Sequence, residues 1–196
     1  MSVIDSHLHL WTMARGDYDW LTPALGPIYR DFTLDDVTPA LDRHGVDGVV
    51  LVQAAATEAE TDFLLDVARA EPRVCGVVGW IDFEAADAAE RVVERAADPL
   101  LVGLRPMIAD LEDPDWILRP EFTPVLQAMA ETGLVFDGHA RADLMTRKIT
   151  LAKRHPGLTI VLNHGGKPPI ASGELAQWKS DCAALAQMSN VMCKFS

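Results

Sequence analysis

The feature that most limits the fold is a repeated alternation of apolar, β-branched runs with amphipathic segments. Val46-Asp47-Gly48-Val49-Val50-Leu51-Val52-Gln53 is apolar at almost every position. A strand apolar on both faces is covered on both faces, as in a parallel sheet. Runs of the same kind lie at 74–82, 100–105, 134–139, 158–164 and 190–196, and 3–11 opens the series. Between them fall helical patterns at 33–44, 58–70, 85–97, 121–132, 143–155 and 175–188. Thr33 followed by Asp35 and Asp36 marks a helix start, and Gly45 a helix stop. Strand and helix in regular turn predict a parallel sheet with helices outside it. The expected class is therefore α/β, a (β/α)8 barrel of the TIM type with about seven of its eight strands in this chain. It is read as one domain over residues 1–196, incomplete at its carboxyl end. A doubly wound open sheet is the alternative, but no glycine-rich phosphate loop follows the first strand.

Charge narrows the partners. With 29 acidic and 17 basic residues the chain carries a formal charge of −12, which repels phosphate backbones and anionic membranes. The expectation is a small-molecule substrate, with neither nucleic acid nor membrane as partner; monomer and oligomer both stay open. Cys75, Cys182 and Cys193 form no spaced pair, which argues against a disulfide framework or a thiolate zinc cluster. The first residues lack a signal peptide's basic start and apolar core, and no apolar run is long enough for a bilayer. A cytoplasmic protein is expected.

In a parallel barrel, chemistry gathers where strands end. His7 and His9 lie two apart in the first strand, so alternation places both imidazoles on one side, suited to a divalent ion. The other strand ends supply Gln53, Trp80, Asp82, Arg105, Asp137, His139 and His164. His164 precedes Gly165-Gly166, and its place directly after a buried strand favours function; His139 is evenly balanced. Arg105 offers a planar fork for a carboxylate or lactone oxygen, with a rim ion pair to Asp82 or Asp137 as the alternative. Arg141 is a second anion contact or a solvated loop residue, and Lys167 is placed to orient substrate. His44 and His155 close helices, where a cation suits the macrodipole. The long loop at 12–32 carries Tyr18 and Trp20, which with Trp11 either wall a cleft or cover core.

Several stretches together resemble a known family. They are Asp5-Ser6-His7-Leu8-His9-Leu10-Trp11, Val102-Gly103-Leu104-Arg105, the segment 119–137, and His155-Pro156 through His164-Gly165-Gly166-Lys167-Pro168-Pro169-Ile170. The likeness is to the amidohydrolase superfamily, and within it to the sugar-lactonase and pyrone-dicarboxylate-lactonase branch. It implies a TIM barrel with His7 and His9 from the first strand, His139 as a fifth-strand ligand and His164 from the sixth. It also implies a catalytic aspartate on an eighth strand, outside this sequence. The implied reaction is attack of water on a lactone carbonyl, assisted by one divalent ion, zinc being expected, with a metal-free route as the alternative. Arg105 and His164 are then the expected catalytic residues, with Arg105, Trp80, Gln53, Arg141 and Lys167 around a sugar-derived or anionic substrate. A metal-dependent decarboxylase of the same superfamily, or an inactive barrel fragment, is the competing reading.

Overall fold

The computed structural model describes residues 2–139 and 141–195, and their contacts gather into two compact units. The first runs to Ile81 and adds Pro99–Leu101; the second takes Asp82–Asp98 and the residues from Val102 onward. Both are built from strands followed by helices.

In the first unit β1 (Ile4–Leu8) pairs in parallel with β2 (Gly48–Val52), and β2 with β3 (Val74–Gly79). Val49, Leu51, Val52, Val77 and Val78 are almost wholly buried, as their apolar runs require. Helix α1 (Leu34–His44) begins at Thr33, whose backbone N–H donates to Asp36 Oδ2 at 2.9 Å in a capping box. It ends at Gly45, whose positive φ of 65° closes the last turn. Helix α2 (Glu58–Ala70) starts at Thr57, whose Oγ1 accepts from the Glu60 N–H at 3.1 Å.

The first and second strands are shorter than their apolar runs. Val46 and Asp47 lie ahead of β2: the Val46 N–H donates to Leu41 O at 2.9 Å in closing α1, and Asp47 Oδ2 accepts the Val3 N–H at 2.8 Å. In β1, Asp5 pairs with Val49 and Leu8 with Leu51, three steps against two. The extra residue is a bulge that spans Ser6 and His7, a device that re-aims side chains.

The second unit carries α3 (Ala88–Arg95), most of β4 (Leu101–Leu104), α4 (Thr123–Thr132), β5 (Val135–Gly138), α5 (Met145–Arg154), β6 (Ile160–Leu162), α6 (Ala176–Leu185) and β7 (Val191–Cys193). The pairs β4·β5, β5·β6 and β6·β7 are all parallel. Gly103 is required for the first of them: a Cβ there would lie 2.7 Å from the Val135 carbonyl oxygen. Among the described residues no helix is long and apolar enough to cross a membrane.

Candidate active site

In the first unit the bulge and the end of β1 bring the two predicted histidines together. His7 Nε2 and His9 Nε2 lie 3.1 Å apart. His9 Nδ1 lies 2.7 Å from the Val52 carbonyl, which can only accept, so Nδ1 carries the proton. The Nε2 lone pair of His9 therefore faces His7. An ion at the usual metal–nitrogen distance of about 2.0–2.1 Å from both atoms would subtend roughly 95–100°, within the range of a tetrahedral or octahedral edge. The pair fits a divalent metal, and the Val52 carbonyl supplies the outer contact that fixes the ring. Among the described residues no group of three or more His, Cys, Asp or Glu gathers as a metal cluster.

Gln53, next to Val52 at the end of β2, is fully buried, and its N–H donates to Val78 O. Trp80, after β3, is held by Thr61 of α2: Thr61 Oγ1 accepts the Trp80 N–H and donates to its carbonyl, each at 2.8 Å. The long loop folds onto the same strand ends. Tyr18 is buried with Ala54 and Ala55, with Trp11 packed against them, so these two aromatics cover core. Trp20 remains 41% exposed, its indole N–H donating to Ala54 O at 2.8 Å.

A buried carboxylate holds this loop. Glu60 accepts from the Tyr18 hydroxyl at 2.6 Å and the Ala54 N–H at 3.0 Å, and Arg15 Nε lies 3.3 Å away. Arg15 also pairs with Asp17, which accepts from Thr57 Oγ1 at 2.8 Å. Burial outweighs these donors and holds Glu60 above the ordinary carboxylate range; burial and Glu60 likewise raise the Tyr18 hydroxyl. Sequence reasoning missed Glu60 and the role of Tyr18, whose contact spans 42 residues.

In the second unit His139 is buried at the end of β5, and its Nδ1 has no hydrogen-bond partner among the described residues. Burial, then the charges of Arg105, Lys167, Lys148 and His164, bring its pKa down to about 3. Burial and these cations favour its neutral form, which keeps a lone pair. His164 is lowered too, by burial and then by Lys167 and Arg105. With Lys167 and Trp178, it lines a cavity of about 500 Å³. Arg105 is buried at the end of β4. Asp137 accepts from Asn163 Nδ2 and from Lys194 Nζ, the latter at 2.5 Å. Arg141 spends its fork on Asp143 at 2.7 and 3.0 Å and on Ala109 O at 2.8 Å, which makes it a loop brace in this structure.

Lys148 was not anticipated. It sits on the buried stripe of α5 with Met145, Leu151 and Ala152, and its stem crosses Gly138, where a Cβ would lie 3.1 Å from Cε. Its Nζ has no hydrogen-bond partner among the described residues, and burial brings its pKa from 10.5 to about 8. The unfolded chain keeps that proton up to about pH 10.5, so stability rises with pH between about 8 and 10.5. Lys148→Met is expected to stabilise the protein by about 2–3 kcal/mol at pH 7, with little difference left above pH 10. Urea unfolding of both proteins at the two pH values checks this; a variant less stable at pH 7 would show that the ammonium has a hidden partner.

Parallel strands followed by helices, with histidines and a buried arginine at their carboxyl ends, are the arrangement of a β/α enzyme that works at its strand ends. An amidohydrolase family model matches residues 4–196. The L-fucono-1,5-lactonase of Burkholderia ambifaria is 42% identical over 193 residues, which cover 98% of this chain and 67% of that protein. The L-fucono-1,5-lactonase of Burkholderia multivorans is 32% identical over 199 residues, with the same two shares. An amidohydrolase from Burkholderia multivorans solved with bound zinc superposes with a TM-score of 0.90 at 31% identity, covering 100% of this chain and 69% of its own. The chain belongs to the amidohydrolase family. It spans about two thirds of the length of the curated relatives it matches.

Proposed function

We propose that this chain belongs to an enzyme that hydrolyses a sugar-acid lactone. The observation that carries the reading is the His7–His9 pair, with its Nε2 atoms 3.1 Å apart and one ring fixed through Nδ1. The lactone as substrate class follows from the two L-fucono-1,5-lactonases. A divalent metal held by His7 and His9, with His164 and His139 as further candidate ligands, would supply Lewis acidity toward the lactone carbonyl. Zinc is the metal we assign, on the strength of the zinc in the related amidohydrolase.

The remaining steps fall to side chains of this chain. Water adds to the carbonyl carbon, and the negative charge that develops on its oxygen is met by the Arg105 guanidinium. His164, kept neutral by burial and nearby cations, is suited to hydrogen-bond the reacting oxygen and to turn the lactone within its cavity. The ring C–O bond then breaks, the ring oxygen takes up the proton that the added water gives up, and a hydroxy acid leaves. Lys167, exposed at the cavity wall, and Trp80, at the end of β3, are assigned to substrate hydroxyls; Gln53, fully buried, joins them only if substrate opens the end of β2. Arg141 enters this scheme only if substrate displaces Asp143 from its fork.

The test is acid release from a panel of aldonolactones by the full-length protein, metal-replete and after chelation. Opening of a 1,5-lactone, lost on chelation and restored by zinc, is the expected result. Loss of carbon dioxide from a carboxylated enol, with no lactone opened, would replace this reading with a decarboxylase.

A further inference from the structure

We propose that Lys194 is a positioning residue that holds His164 in its unusual backbone turn. The inference rests on the reading of His164 as part of the active site. Four consecutive residues after β6 have positive φ: His164 at 50°, Gly165 at 56°, Gly166 at 77° and Lys167 at 49°. A left-handed conformation is unfavourable for a residue with a side chain, and such residues usually occur singly. Here two of them share one turn, so the surroundings must hold it.

Lys194, directly after β7, supplies three of the contacts that do so. Its N–H donates to Leu162 O at 2.9 Å, and its carbonyl accepts the Gly165 N–H at 2.9 Å. These two bonds bracket Asn163 and His164. Its Nζ reaches Asp137 Oδ2 at 2.5 Å, and the other oxygen of Asp137 accepts from Asn163 Nδ2. The side-chain pair thus fastens the bracket to β5. On the far side the Trp178 indole donates to Gly165 O at 2.7 Å. Lys194 and Asp137 are 57 residues apart. The ion pair does not contact substrate in this scheme; it fixes the ring that does.

The test measures hydrogen exchange across 163–167 together with steady-state kinetics, in wild type, Lys194→Met and Lys194→Arg. In Lys194→Met, exchange at the Gly165 amide is expected to quicken by about 10-fold or more while the strands of the first unit stay protected. The kcat should fall by about 10-fold or more with KM within about twofold, and Lys194→Arg should recover most of both. Asp137→Asn, of nearly unchanged shape, should shift both readouts the same way if Lys194→Met does not fold. Exchange and kcat left at wild-type levels, or protection lost equally throughout the protein, overturns the inference. A wild type that opens no lactone overturns the lactonase reading alone, since exchange at Gly165 still decides this one.

Discussion

Replacing His9 by alanine is expected to lower kcat/KM for lactone opening on the order of 10³-fold while leaving the fold largely intact. The asymmetry follows from where His9 sits. It lies one residue beyond β1, half-buried, and outside the apolar interior formed by Val49, Leu51 and Val77. Its removal costs one hydrogen bond to Val52 O, worth about 1 kcal/mol. What it takes from the site is larger: half of a pair of imidazoles whose nitrogens stand at coordination spacing. His7→Ala should match it, and the double variant should be little worse than either, because two ligands of one ion act as a unit. Metal content per chain is the companion measurement, and it should fall in all three. A His9→Ala enzyme with full metal and undiminished kcat/KM would show that the imidazole pair is structural.

What the sequence announced and what it concealed divide by the range of the interactions involved. The β-branched runs, the Thr33 start and the Gly45 stop are local, and each appears as an element or a cap. The placing of His7 and His9 together was legible too, although simple alternation was not the whole cause, since a bulge intervenes. The Gly165-Gly166 pair signalled an unusual backbone; it gave no sign that His164 and Lys167 share it. Lys148 stayed hidden because a lysine between Met145 and Leu151 reads as a solvated position, and only the missing side chain of Gly138 makes room for its stem. Asn163, Asp137 and Lys194 form one network from three strand ends, and no window of adjacent residues contains it. The same holds for the acid that anchors the long loop.

That acid gives the second large effect: Glu60→Ala is expected to lower unfolding free energy by about 3–5 kcal/mol. Its side chain is wholly buried in the first turn of α2, and its oxygens serve the Tyr18 hydroxyl, the Ala54 N–H and Arg15. Removal leaves a buried hydroxyl and a backbone N–H without an acceptor and strips Arg15 of one of its two carboxylates. Each orphaned neutral donor costs about 1–3 kcal/mol, and the half-compensated guanidinium adds to that. Glu60→Gln keeps the shape and an acceptor, so it should cost less, about 1–2 kcal/mol. The two variants also separate charge from packing through pH. Because burial raises the folded carboxyl, at pH values between the ordinary carboxylate pKa and the raised one the native state holds a proton that the unfolded chain has released. The stability this group contributes is therefore complete below the ordinary carboxylate pKa and declines as pH rises through the raised one. Glutamine removes that slope; alanine removes the slope and the contacts together. Urea unfolding across the acid range measures both. Protease cleavage within 12–32 should accelerate in Glu60→Ala before the rest of the chain opens, since Tyr18 and Arg15 tie that loop to the end of β2 through Glu60. An alanine variant within about 1 kcal/mol of wild type would mean that the cost of burying the charge cancels its three contacts, and the loop would then owe its place to the packing of Trp11, Tyr18 and Leu21 on Ala54 and Ala55 alone.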